Sequence, residues 1–283
     1  MTDTAPVLRS FLFTPANRPT AFAKALASGA DCVCLDLEDA VPPDAKAAAR
    51  PDALAFLAEA APGPLRALRI NALWTAAGLR DLAALAEAAP AAGLLLLPKV
   101  GSAAELRLAG SILDEAGSGL ALAALIETAA GLAEAEAIAA VGGRLSLLIF
   151  GGVDLSADLA CAMDSETMRV ARARIVQAAH AAGRDVLDVP ELQFRDLELV
   201  ASAARTAARE GFTGKAAIHP SNVAAVNAAF TPSAEEIAEA QEIVAAFEAA
   251  PTGLVVVDGR LIEAPVIRGM RRRLARAAAA GAL

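Results

Sequence analysis

The stretch Leu145–Asp158, LSLLIFGGVDLSAD, decides the fold. Apart from Ser146, its first six residues are apolar. A near-continuous hydrophobic run of this length marks a strand of a parallel sheet, covered on both faces by helices. Gly151 and Gly152 end the run and let the backbone turn sharply and approach a ligand. Asp154 follows at the carboxyl edge, where α/β folds place their chemistry. The preceding strand, LALAALIET, repeats the pattern, with Glu127 closing the run. Acids at the ends of consecutive strands can converge at the mouth of a barrel. Their hard oxygens suit a Mg²⁺ ion that keeps several waters. Either acid alone also reads as a helix N-cap or a solvated loop charge; the pair points to a metal at Glu127 and Asp154.

Working outward, the same strand–helix unit recurs. Strands are predicted at Leu8–Thr14, Cys32–Leu37, Leu65–Ile70, Leu94–Leu97, at the Glu127 run, at Leu145–Phe150, at Asp185–Val189 and at Gly214–Ile218. Helices alternate with them: Phe22–Ala27, one ending near Ala60, Gly78–Ala88, Ala103–Glu115, Ser165–Ala181 and Arg195–Arg209. Eight strands alternating with helices give an α/β fold, a (β/α)8 TIM barrel over residues 1–230. Residues 231–283 then form a C-terminal extension of helix, hairpin and basic helix. These are Ser233–Ala249, Leu254–Val257 turned by Asp258-Gly259 into Arg260–Ile262, and Arg268–Ala280. A closed barrel has no edge for this hairpin, so the extension is expected on the outside or at a subunit interface.

Composition narrows the function. A hydrophobic share of 56% supplies a large core, and a net charge of −8 without basic–aromatic patches argues against nucleic acid. Cys32, Cys34 and Cys161 make no disulfide framework and fit a reducing cytoplasm; the first two read as small buried hydrophobes. The N-terminus MTDTAPVLRS lacks the charged start and apolar run of a signal peptide, and no apolar run of about 20 residues could span a membrane. Polar residues at strand ends collect on one rim: Thr14, Asp36, Glu38, Asp39, Arg69, Asn71, Lys99, Glu127, Asp154 and His219. Part of this set is equally explained as a structural ion-pair ring. Arg69, with its planar fork, is best suited to grip a substrate carboxylate.

The motifs RSFLFTPANRPTAFAKA, VCLDLEDAVPPDAKAAAR, LRIN, LLLLPKV, IET, FGGVDLSADL, AAIHP and VVVDGRLIEAP run in order from Arg9 to Pro265. Together they resemble the citrate lyase β-subunit-like (CitE-like) group of the HpcH/HpaI aldolase superfamily, which includes malyl-CoA and citramalyl-CoA lyases. The resemblance implies a barrel binding Mg²⁺ through Glu127 and Asp154, with Glu127 also at the substrate and Arg69 gripping the substrate's carboxylate. It places coenzyme A against Phe13, Arg18 and Lys24, with Ile218 and His219 beside the ligand. One departure stands out. Many relatives carry an Asp in the tail motif that acts in a neighbouring subunit's site; here the matching residue is Glu263, one methylene longer. Its plain alternative is a solvated charge on the tail.

The implied reaction is reversible C–C cleavage of a 3-hydroxy-3-carboxyacyl-CoA thioester, of citramalyl or malyl type, to a keto acid and acetyl-CoA or a related acyl-CoA. Arg69 and Glu263 are the expected catalytic residues, with Glu263 protonating the departing enolate. With two histidines and no tyrosine, carboxylates are the expected proton carriers. The alternatives are a citrate lyase β subunit acting on a citryl-acyl carrier protein, a metal-dependent 2-keto acid aldolase using no thioester, and a silent scaffold. The tail and the resemblance imply a homo-oligomer, a trimer or a multiple of three.

Overall fold

The structure, a computed structural model, describes residues 8–59, 62–250 and 254–283. Residues 1–7, read above as lacking a leader, and Ala60, where the second helix is expected to end, lie outside them. The eight predicted runs form eight strands: β1 (Ser10–Pro15), β2 (Cys32–Asp36), β3 (Leu65–Arg69), β4 (Leu94–Leu97), β5 (Ala121–Ile126), β6 (Leu145–Phe150), β7 (Asp185–Asp188) and β8 (Gly214–Ala217). They pair in sequence order, and β1 also pairs with β8 in parallel register, closing the barrel. Between them run α1 (Phe22–Leu26), α2 (Lys46–Ala58), α3 (Ala76–Ala88), α4 (Ala103–Glu115), α5 (Ala129–Ala133), α6 (Ala135–Ala139), α7 (Gly152–Asp158), α8 (Glu166–Ala181) and α9 (Leu197–Glu210). Among the described residues, no helix is long and apolar enough to cross a membrane.

The barrel interior is hydrocarbon and thiol. Phe11, Cys32, Cys34, Ala67, Leu94, Leu96, Ala123, Leu125, Leu147, Ile149 and Leu187 pack into one buried cluster. Strand side chains alternate, so each inward column continues every second residue. The Cys32–Cys34 column runs on into Asp36, the Ala67 column into Arg69, and the Ala123–Leu125 column into Glu127. Three charged residues are thereby set on top of an apolar stack.

Strand β8, GKAA, has a lysine in the middle of a buried strand. Its Nζ donates to Asp188 Oδ2 and to the Val189 carbonyl, both at 2.6 Å. Arg172 of α8 binds the other Asp188 oxygen and also pairs with Glu210. The Arg172 guanidinium lies 5.5 Å from the Phe150 ring centroid and 4.8 Å from that of Phe212. A buried charge must be paired and hydrogen-bonded, and Asp188 meets that need for two cations at once.

The barrel unit covers Leu8–Val226, and a second compact unit takes in Asn227–Leu283. In the second unit α10 (Val223–Phe230), which begins in the first, leads to α11 (Ala234–Ala249). α11 opens with a capping box, in which Ser233 and Glu236 satisfy each other's backbone N–H groups. Strands β9 (Val255–Val257) and β10 (Arg260–Ile262) form an antiparallel hairpin. Asp258 and Gly259 turn it with φ of 49° and 73°, the left-handed pair that a two-residue turn of this kind requires. Ile243, Ile262 and Ile267 form its core, while Val256 and Leu261, paired across the hairpin, are exposed on the other face. The last helix, α12 (Ala264–Ala279), begins four residues before the predicted Arg268 because Pro265 occupies its first turn, where a missing N–H costs nothing.

Replacing Asp188 with alanine strands Lys215, whose side chain is 3% exposed, beside Arg172. The variant should lose about 3–5 kcal/mol of unfolding free energy, read from urea titrations. A loss below about 1 kcal/mol, the scale of a surface pair, would show that the cluster is solvated.

Candidate active site

The carboxyl ends of the strands enclose a cavity of about 400 Å³. Its floor and walls are apolar, with Phe13, Leu125, Ile149, Val189, Ala216 and Ile218 among the lining residues. Asp36, Asp39, Arg69, Glu127 and Asp154 supply the charge. The acids expected at the ends of β5 and β6 therefore reach the same space. Asp154 lies in the first turn of α7; the Gly151-Gly152 pair read from sequence as a turn also starts this short helix.

Arg69 is fixed on several sides. Its Nε and one terminal nitrogen donate to the two oxygens of Asp36 at 2.7 and 2.5 Å. Its other terminal nitrogen lies 3.0 Å from Glu38 Oε2, and the Phe13 ring centroid is 5.0 Å from the guanidinium carbon. Asp36 is held in turn by the backbone N–H groups of Glu38 and Ala40. Burial opposes the charge on Arg69, yet Asp36 and then Glu38 more than offset it and raise its pKa. The fork read as a carboxylate grip is thus occupied along one edge by Asp36, and the edge beside Glu38 is what a ligand would meet.

Glu127 is held from two directions. The Lys99 N–H donates to its Oε1 at 2.9 Å. On the other side Gly151 is indispensable, since a Cβ there would stand 2.4 Å from the Glu127 Cβ. Burial, reinforced by the charge of Glu38, pushes the Glu127 carboxyl up to about 8, although Arg69 and Lys99 oppose the shift. The Lys99 ammonium binds Glu38 Oε1 and lies 3.5 Å from Asp39 and 3.9 Å from Asp154. Glu38 is raised too, by burial first. Beneath this layer Asn71 donates to Asp81 and to the Leu37 carbonyl, and Arg50 of α2 binds Asp81. Lys46 closes the set on the Glu38 carbonyl and the Asn71 side chain. Asp81, from the middle of α3, has no local sequence signal that would mark it.

The donor set suits a hard cation. Among the described residues, Glu127 Oε2 and both Asp154 oxygens accept no hydrogen bond, and no three metal-ligating side chains cluster. Two carboxylates with open positions match Mg²⁺, which keeps waters, better than a metal needing a full protein cage.

The other expected residues divide into groups. Phe13 and Ile218 line the cavity. His219 is half-buried, stacks on Phe194 with centroids 5.3 Å apart, and accepts the Ser221 N–H at Nδ1. Arg18 and Lys24 are exposed on the segment after β1, without a salt-bridge partner among the described residues. Glu263 belongs to the second unit, where it is exposed and precedes α12.

A family model described as HpcH/HpaI aldolase/citrate lyase matches residues 9–220. The chain belongs to the HpcH/HpaI aldolase/citrate lyase family. This member is an enzyme of a CoA-thioester lyase family, and its relatives extend over nearly its whole length. It is 36% identical over 290 residues to the L-malyl-CoA/beta-methylmalyl-CoA lyase of Cereibacter sphaeroides, covering 92% of this chain and 91% of the relative. To the (3S)-malyl-CoA thioesterase of the same species it is 36% identical over 288 residues, covering 100% and 99%. The crystal structure of CitE from Mycobacterium tuberculosis in complex with magnesium, acetoacetate and coenzyme A matches with a TM-score of 0.81. That match has 35% identity and covers 98% of this chain and 100% of CitE.

The raised Glu127 carboxyl gives the metal-free protein a pH signature. Its folded pKa, about 8, lies above the unfolded value. Between the two the folded state holds a proton that the unfolded chain has lost, so this contribution to stability is complete below the unfolded pKa and fades as pH rises through the folded one. With metal chelated, the melting temperature should therefore fall across that window, and Glu127→Gln should remove part of the fall. Parallel profiles for the two proteins would refute the assignment.

Proposed function

We infer that this enzyme cleaves, reversibly, a 3-hydroxy-3-carboxyacyl-CoA thioester of malyl or citramalyl type into an oxo acid and acetyl-CoA or a related acyl-CoA. The observation that carries this reading is the convergence of open Glu127 and Asp154 oxygens on a cavity that also holds Arg69. Glu127 and Asp154 would hold Mg²⁺, which supplies a Lewis acid to polarise the substrate's hydroxyl and carboxylate oxygens. Arg69 presents its Glu38-side nitrogen to the substrate carboxylate, and the Asp36 and Phe13 contacts keep it from turning away. Phe13 and Ile218 give the thioester an apolar wall with His219 next to it, and the exposed Arg18 and Lys24 meet the phosphates of coenzyme A.

Charge favours these substrates over a citryl group. Both cations of the mouth are already bonded to acids within it. One substrate carboxylate can share Arg69 and the metal; a second would enter among five carboxylates with no uncommitted side-chain cation to meet it. Loss of Asp154 should abolish Mg²⁺-dependent oxo-acid release while the far-ultraviolet circular dichroism stays unchanged, because the side chain is 42% exposed. An active Asp154→Ala enzyme, or activity untouched by a chelator, would dismiss the metal assignment.

A second reading has its own support, since the chain aligns end to end with a malyl-CoA thioesterase. Hydrolysis would add water at the thioester carbonyl, break the C–S bond and free the thiol of coenzyme A. Cleavage of the C–C bond leaves the thioester intact. Incubating malyl-CoA and citramalyl-CoA with the enzyme and measuring oxo acid and free thiol in parallel separates the two: oxo acid without thiol is expected.

The exposed Val256–Leu261 face of the hairpin supports a homo-oligomer, and we assign it as a trimer in which Glu263 enters a neighbour's site to protonate the enolate carbon. Mixed oligomers of Glu263→Ala and Asp154→Ala subunits should then regain activity that neither variant has alone. Mixed oligomers that form and stay inactive would rule out the shared site.

A further inference from the structure

Lys99 ties the acids of the mouth together through two different parts of itself. Its backbone N–H donates to Glu127 Oε1, from a φ of 51° that non-glycine residues seldom adopt. Backbone held in such a sparsely populated region is over-determined by its surroundings, and it concentrates at functional sites. Its ammonium separately binds Glu38 Oε1 and stands 3.5 Å from Asp39 and 3.9 Å from Asp154. Glu38 is buried, and among the described residues its Oε2 has no hydrogen-bond partner, only the ion contact with Arg69 at 3.0 Å. The ammonium thus shares that buried acid with Arg69, taking the oxygen that Arg69 leaves, and it sits beside an acid assigned to the metal.

We propose that Lys99 is the mouth's cation at the metal ligands: its ammonium holds the acids in place before metal arrives and, by repulsion, sets how tightly the metal is then held. The proposal rests on Glu127 and Asp154 being the metal ligands. A cation 3.9 Å from Asp154 lies within several ångströms of any ion that Asp154 binds. At that range, in a partly desolvated site, salt screens the repulsion poorly. The two ways a lysine could serve a metal site have opposite signs. If Lys99 only props up the ligands, losing the ammonium weakens metal binding; if its charge competes with the metal, losing it tightens binding.

Substituting Lys99→Met isolates the charge. Methionine has a comparable unbranched stem, retains the N–H that Glu127 accepts, and is equally non-glycine at the left-handed position. Titrating Mg²⁺ into the metal-free proteins by isothermal calorimetry should show binding on the order of tenfold tighter in Lys99→Met. Lys99→Arg should stay near wild type, and metal-free Lys99→Met should melt at a lower temperature. Binding that is unchanged or weaker in Lys99→Met overturns the proposal. If that variant does not fold, Glu38→Gln and the double variant Glu38→Gln/Lys99→Met replace the pair, because the amide no longer needs a cation. The double variant should bind Mg²⁺ more tightly than Glu38→Gln, and equal or weaker binding again overturns the proposal. Wild-type protein that takes up no Mg²⁺ would overturn the metal assignment itself, and this proposal with it, an outcome distinct from the other two.

Discussion

Charge standing on a hydrocarbon floor is the constraint from which the architecture of the mouth follows. Cys34, Ala67 and Leu125 are apolar, and two residues further along the same columns stand Asp36, Arg69 and Glu127. Ions in that position lose much of their water, and the loss is tolerable only where each finds a counterion or donor in good geometry. The partners therefore come from every nearby strand end: Asp36 for Arg69, Glu38 for Lys99, the Lys99 backbone for Glu127. The network links the ends of β2, β3, β4 and β5 and fixes their spacing before any ligand arrives. Such preorganisation is what lets fixed charges act on developing charge without first rearranging.

Support from below is as specific as the charges themselves. Asp81 receives Asn71 and Arg50, which anchors the chain just beyond Arg69 to α2 and α3. Gly151 leaves no space for a side chain beside Glu127, so β5 and β6 meet with the carboxylate wedged between them. The same logic recurs away from the mouth, where Asp188 accepts both Lys215 and Arg172.

Much of the fold could be read from the chain because parallel strands are apolar almost without interruption. The runs Leu94–Leu97 and Leu145–Phe150 form strands with the bounds they suggest, and the others shift by one or two residues. Strand β8 departs from that rule, and its buried lysine makes sense only with Asp188, 27 residues away, to meet it. Short helices leave little signal, for local reasons. The alanine-rich stretch after Glu127 splits into α5 and α6, and α7 starts at glycines that look like a stop. At the mouth, position at the strand ends shows which polar residues share a rim. It could not show that Asp36 would take one edge of Arg69, nor that Lys99 would turn left-handed to reach Glu127. Those bonds join residues 33 and 28 positions apart and depend on strand stagger, which no local pattern encodes.

The thiols inside the barrel have a consequence for how the protein opens. Cys32 and Cys34 are wholly enclosed, and burial raises both above the ordinary thiol range, so neither exposure nor thiolate character favours reaction. Cys161, between α7 and α8, is partly accessible. An alkylating reagent in the native buffer thus finds one sulfur at once and two only when β2 parts from its neighbours. The slow phase of modification becomes a clock for breathing of the barrel wall, and its rate over the fast one measures how seldom the closed sheet lets a small molecule in.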